Sequence, residues 1–260
     1  MKFKYSLLFV LAAFIAAPVY GQKFLQKPYK EWSQDDAIKI LKDSPWAIEY
    51  QSERLLDLAA KQQQQREQAD TRLSGTDRGN QNRPSVPMPV RARLHSAGPI
   101  RQAMVRLQQI QAKYDKMSAE DQKKFDDSTA KFLECAICKD YYVITITKWK
   151  DTSTSGISDG IFQSFKLADL KGKVWLVNDK DEKLELTEFT APKSNTDSAV
   201  LFFKRADDKG APFFTPSDKQ VRLMFATELR SNTSGYSDLI PRSFEFKVSK
   251  MLTPEGKLEF

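Results

Sequence analysis

The sequence predicts an α+β protein built on an antiparallel β-sandwich, Ig-like or similar, with an inserted helical hairpin and a helical N-terminal segment. Three observations predict it. In the second half of the chain, short runs of alternating apolar residues follow one another without long helices between them, which is the pattern of antiparallel strands. Two stretches, 33–41 and 98–138, carry their apolar residues at helical spacing instead. The composition, 40% hydrophobic with 17 Phe but only 10 Gly and 12 Pro in 260 residues, suits one sizeable core and excludes a fibrous or wholly disordered chain. The expected organisation is a signal peptide over 1–21, a helical segment over 22–47 and a sandwich domain over 48–260.

The first residues fix the expected compartment. Lys2 and Lys4 form a positive n-region, Leu7–Ala17 an apolar h-region, and Val19-Tyr20-Gly21 leads to a cleavage expected before Gln22. This predicts a periplasmic or secreted mature chain. The apolar run is shorter than the roughly 20 residues of a spanning helix, and no later stretch approaches that length, so no membrane span is expected. No cysteine follows the h-region to carry a lipid anchor. The formal charge of +7 falls when Lys2 and Lys4 leave with the leader, and the remaining basic residues are scattered rather than set in a stripe among aromatics. Nucleic acid is therefore not expected as a partner.

Within the mature chain, Ser33 with Asp36 is a capping-box pattern, and Ala37, Ile38, Ile40 and Leu41 supply an apolar stripe behind it. Ser44-Pro45 stops that helix, because the residue before Pro is pushed out of the helical region. Trp32 and Trp46 stand at its two ends and are expected to be structural anchors, with Trp46–Tyr50 a first strand. From about Lys61 to Pro87 large apolar residues nearly vanish, which predicts a disordered loop that cannot offset its ordering entropy. Val90–Leu94 then reads as a strand in which Val90, Ala92 and Leu94 alternate with Arg91, Arg93 and the lone His95. Ile100, Met104, Leu107, Ile110 and Tyr114 share one helical face, and Ser118 with Asp121 caps a second helix carrying Phe125, Phe132, Leu133, Ala136 and Ile137. The short link at Lys116-Met117 makes the pair a hairpin over about 98–138.

Beyond Lys139 the period becomes two. Strands are expected at Tyr141–Trp149, Val174–Val177, Lys183–Thr187, Ala199–Lys204, Gln220–Phe225, Ser243–Val248 and Lys257–Phe260, with a turn at Asn178–Asp181 and a short helix within Ile161–Leu170. Leu258 and Phe260 alternate as in the last strand of an outer-membrane barrel. Pro254 and Gly256 break that strand, however, and the others are short, so the expectation is a final strand of a soluble sheet.

The string Lys30-Glu31-Trp32-Ser33, Asp36, Ile40-Leu41 and Asp43-Ser44-Pro45-Trp46-Ala47 resembles the opening of a group of uncharacterised exported bacterial proteins. Ser96-Ala97, Pro99-Ile100-Arg101, Leu170-Lys171-Gly172-Lys173, Phe202-Phe203-Lys204-Arg205, Met251 and Gly256-Lys257-Leu258 extend it over most of the mature chain. The Trp32, Asp36, Ile40 spacing is also similar to GWxTD-type exported domains. The resemblance implies an exported protein and carries over no catalytic residue.

Among residues able to do chemistry, Cys135 and Cys138 form Cys-Ala-Ile-Cys at the end of the second hairpin helix. In an oxidising compartment they are expected to form a disulfide. A thioredoxin-like pair begins a helix, where the dipole lowers the thiol pKa, whereas this pair follows one. Haem attachment would need His where Lys139 stands, and a zinc site from Cys135, Cys138 and His95 lacks a fourth ligand. His95 reads as an ordinary surface or interface residue, since no Gly-x-Ser-x-Gly elbow accompanies it. Asp179, Asp181 and Glu182 lack calcium-loop spacing. Asn232-Thr233-Ser234 is a glycosylation pattern that counts only in a glycosylating host. The sequence thus predicts no catalytic residue, no metal and no cofactor. The function expected is that of a non-catalytic binding or structural module of the cell envelope, with an unknown envelope protein or ligand as partner. The alternative is an extracytoplasmic hydrolase with an unrecognised site.

Overall fold

A computed structural model describes residues 27–53, 56–57, 60–61, 64, 89–148, 162–194, 197–207, 210–231, 240–252 and 257–258. The expected leader with its cleavage before Gln22, nearly all of the 61–87 loop, Trp149, the Asn232 sequon and Phe260 lie outside them. Among the described residues there are eight strands: β1 (Ala47–Tyr50), β2 (Val90–Leu94), β3 (Tyr141–Lys148), β4 (Val174–Val177), β5 (Lys183–Thr190), β6 (Ala199–Lys204), β7 (Val221–Phe225) and β8 (Ser243–Phe246). The helices are α1 (Gln34–Lys42), α2 (Gly98–Gln111), α3 (Ala119–Glu134) and the short α4 (Leu167–Leu170) and α5 (Thr227–Ser231).

The expected β-sandwich is not what these strands make. They form a single antiparallel sheet in the order β1-β2-β3-β6-β5-β4-β7-β8, curled until β8 returns beside β1, with Cα atoms of the two strands within 8 Å of one another. The result is a nearly closed barrel. The reason lies in β5, whose first half pairs with β4 (Trp175 opposite Glu185) and whose second half pairs with β6 (Phe189 opposite Leu201). A register shift between Leu186 and Glu188 interrupts the pairing with β6 just after the two halves meet. A bulge bends its strand and sharpens the twist, so one strand can serve both walls and no gap opens between two sheets. Single alternation looks the same in a sandwich and in a barrel, because both bury one face of every strand.

The inward face carries the apolar residues. Val90, Ala92 and Leu94 of β2, Ile144 and Ile146 of β3, Leu201 and Phe203 of β6, Leu176 of β4, Leu223 of β7 and Phe244 and Phe246 of β8 belong to one buried cluster. A lumen packed with apolar side chains is the reverse of a water-filled outer-membrane channel. Among the described residues no helix is long and apolar enough to cross a membrane.

Helices α1, α2 and α3 form a second layer against the barrel. The Ser33 hydroxyl accepts the Asp36 N–H at 3.1 Å and Asp36 Oδ2 accepts the Ser33 N–H at 2.9 Å, closing the capping box of α1. Lys27, hydrogen-bonded to it, and then the Ser33 backbone N–H and side chain hold the Asp36 carboxyl down at about 2. Ala37, Ile40 and Leu41 of α1 pack into the core, and α1 lies against α2. Lys113, at φ 56°, turns the chain out of α2, and Ser118 receives the Asp121 N–H at 3.2 Å to start α3. The hairpin thus leaves β2 and returns into β3, although those two strands pair directly.

Candidate functional site

The two cysteines and the lone histidine, distant in sequence, come together at the end of β2. The side of that strand opposite the core presents Arg91 and Arg93, and His95 follows in the same alternation. On a bare sheet these would be solvated. Here the helical layer covers them, and both arginines are buried. Arg91 is ion-paired through Nε to Glu49, the residue directly across on β1. Arg93 donates from Nε to the Leu41 carbonyl at the end of α1, 2.8 Å away. Its Nη2 and the Nδ1 of His95 are buried without a hydrogen-bond partner among the described residues.

Cations gathered in a low-dielectric setting disfavour one another's charge. Burial, with Arg91 nearby, pulls Arg93 down to about 10. Burial first, and then Arg101 and Arg93, push the His95 imidazole down to about 4. His95 is therefore neutral at physiological pH, and its ring packs edge-on to Phe132 of α3 with centroids 5.4 Å apart.

Arg101, on the first turn of α2, joins the parts. Its Nη1 donates to the carbonyls of His95 (3.0 Å) and Ser96 (2.6 Å) and contacts Cys138 Sγ at 3.8 Å, while Nε donates to the Leu133 carbonyl at 2.9 Å. One guanidinium thus fixes the β2–α2 turn, the last turn of α3 and a cysteine sulfur. Cys135 and Cys138 are joined as a disulfide. Cys135 caps α3 in the left-handed region at φ 48°, and the one-turn 3-10 helix Ala136–Lys139 carries Cys138 back under the chain. Cys138 is buried at 6% exposure, Cys135 is partly exposed, and Ile137 between them is 44% exposed.

Ser96 does not serve the histidine as a nucleophile. Its hydroxyl accepts the Val143 N–H at 3.3 Å, extending the β2–β3 ladder. Zinc at Cys135, Cys138 and His95 is answered by the disulfide, and no group of three His, Cys, Asp or Glu side chains among the described residues is placed to hold a metal ion. The acidic turn is equally divided: Asp179 accepts the Lys219 N–H at 3.0 Å, Asp181 pairs with Arg222 at 2.5 Å, and Glu182 accepts from the Asn178 amide at 2.6 Å.

Trp32 and Trp46 are both buried to within 1%. The Trp32 indole donates to the Lys27 carbonyl at 3.2 Å, its own carbonyl accepts from Arg106 Nε at 2.8 Å, and the Trp46 carbonyl accepts the Leu94 N–H at 2.8 Å. Arg93 and Arg101 are the residues that sequence reasoning did not single out. The available signal was Arg-x-Arg-x-His within a strand, followed by an arginine on the first turn of a helix, with no acidic residue between. No family model, curated protein or solved structure matches the chain.

Proposed function

We propose that this chain is an exported binding or structural module of the cell envelope that works without turnover chemistry of its own. The observation that carries this reading is how its polar groups are used. The buried arginines donate to backbone carbonyls of Leu41, Trp32, His95, Ser96 and Leu133, holding loops and helices in place. Among the described residues, moreover, the barrel interior between Leu94, Ile144, Leu176 and Phe246 holds a cavity of about 10 Å3. That is room for roughly one water molecule, so this interior space does not serve a larger ligand. Export is supported by the Lys2, Lys4 and Leu7–Ala17 leader pattern, by the resemblance to exported bacterial proteins, and by a disulfide, which persists in oxidising compartments.

The test is to express the full chain from its own start in a Gram-negative host, fractionate the cells, and crosslink the envelope in place. The expected result is periplasmic or secreted protein beginning at Gln22, oxidised at Cys135–Cys138, and joined to a discrete partner by a crosslinker. Cytoplasmic protein still carrying Met1 would overturn the export reading. A saturable hydrolytic activity in purified protein would overturn the binding reading.

A further inference from the structure

We propose that the Cys135–Cys138 disulfide is a site of thiol exchange, in which Cys135 is the sulfur attacked, Cys138 is the sulfur released, and the partner is a molecule bearing an accessible pair of thiols. This goes beyond the binding reading and does not depend on it, since exchange here is stoichiometric and needs only the disulfide and its surroundings.

Two independent features give the bond a direction. The first is access. Cys135 is partly exposed, and the chain beside it, Ala136 and Ile137, is exposed as well, with Ile137 one of two large apolar residues left in solvent among the described residues. Cys138 is buried. A thiolate arriving from solvent therefore meets Cys135, with an apolar side chain beside it to rest against.

The second feature is charge. Disulfide exchange is fastest when the departing sulfur is the better thiolate. The guanidinium of Arg101 stands 3.8 Å from Cys138 Sγ and is held there by the carbonyls of His95, Ser96 and Leu133, so positive charge waits where the departing electron pair arrives. Cys135 sits at the C-terminus of the sixteen-residue α3, where the helix dipole is negative and a thiolate is disfavoured. Both effects send the negative charge to Cys138.

A partner thiolate attacks Cys135 Sγ, the Cys135–Cys138 bond breaks, and its electron pair goes to Cys138 Sγ beside Arg101. The partner's second thiolate then attacks the partner sulfur in the mixed disulfide, and Cys135 leaves and takes a proton from water. The partner dithiol is oxidised to a disulfide, the protein disulfide is reduced to two thiols, and no other oxidant is required. Arg101 is a positioning residue in this scheme.

The experiment incubates the oxidised protein with reduced glutathione, quenches by alkylation, and maps the adducts by mass spectrometry. Glutathione on Cys135 with the alkyl group on Cys138 is the expected result. Glutathione on Cys138, or opening of the bond only when the protein unfolds, would overturn the proposal. In Cys135→Ser, the ultraviolet absorbance of the thiolate should report a Cys138 midpoint below the ordinary cysteine value of about 8.5, and a midpoint at or above it would overturn the charge argument. Arg101→Gln should raise that midpoint and slow reduction of the intact disulfide several-fold, while a folded variant with an unchanged midpoint counts against the proposal. If Arg101→Gln fails to fold, the glutathione map and the Cys135→Ser titration decide alone. Dithiothreitol and a peptide carrying two reduced cysteines are then compared: faster exchange with the peptide identifies a polypeptide source for the dithiol, and equal rates a small one.

Discussion

The inside of the barrel and the helical layer outside it are held by different physics. Within the barrel, Leu94, Ile144, Leu176, Leu223 and Phe246 are apolar, packed and almost free of voids. Burial there is non-directional and proportional to area, so many sequences of similar volume would serve. Outside, Arg93, Arg101 and Arg106 each donate to a named carbonyl, and Lys30 bridges to Asp126 (2.6 Å) and Tyr114 (3.1 Å) of the hairpin. Such bonds are directional, and removing one partner leaves the other buried and unsatisfied. Stability of the inner region is thus spread over many residues, whereas the outer layer depends on a few.

The largest effect should come from the apolar core. Trp46→Ala is expected to cost about 3 to 5 kcal/mol, read as a lowered urea midpoint, and the emission that disappears with Trp46 should be blue-shifted with poor access to quenchers. A variant that melts like its parent would mean that the head of β1 is not part of the core. Arg101→Met comes next: it keeps the apolar stem but strips the donors from three carbonyls, at a cost of about 2 to 3 kcal/mol. A neutral result would remove the distinction between the two regions.

A third experiment uses pH. His95 is lowered from its ordinary value of 6.5 to about 4 in the folded protein, so between those values the unfolded chain binds a proton that the folded one refuses. Stability carried by the neutral imidazole is complete above about 6.5, falls as pH drops toward 4, and is flat below, an effect on the order of 3 kcal/mol. His95→Gln should flatten the stability profile across that window, and an unaltered slope would show that the histidine does not report on the cationic cluster. The smallest effect sharpens the comparison from the other side. The Trp46 indole N–H has no hydrogen-bond partner among the described residues, so Trp46→Phe should cost under about 1.5 kcal/mol. Trp32→Phe, which loses the bond to Lys27, should cost more.

The same division explains what the sequence made legible. Caps are local, so Ser33 with Asp36 and Ser118 with Asp121 could be read from four residues each. Alternation located the strands because burial on one face leaves a period of two whatever lies beyond. Their pairing order was not legible, since β3 joins β6 and β4 joins β7 across intervening chain, and a sandwich satisfies the same pattern as a barrel. The cationic cluster was hidden for a related reason. Arg91 and Arg93 alternate with core residues as solvent-facing residues do, and only tertiary contacts, with the Leu41 carbonyl at the end of α1 for Arg93 and with Glu49 for Arg91, show them to be buried groups. Nothing near Arg101 in sequence distinguishes it from an arginine on an exposed helix, because the carbonyl of Leu133 and the sulfur of Cys138 reach it from the far end of the hairpin.

The seam where β8 meets β1 bears on how the protein is made. β8 is the last of the described strands to emerge from the ribosome, and until Ser243–Phe246 docks on β7, that edge of β7 is open. An open, hydrogen-bonding edge is a template for other chains. Under the export proposed above, late closure keeps the nascent chain loose enough to thread a translocation channel. It also confines the hazardous interval to the moment after release. Ending translation ahead of Ser243 should therefore give a product that pairs with its own copies and aggregates, while the full chain covers the β7 edge.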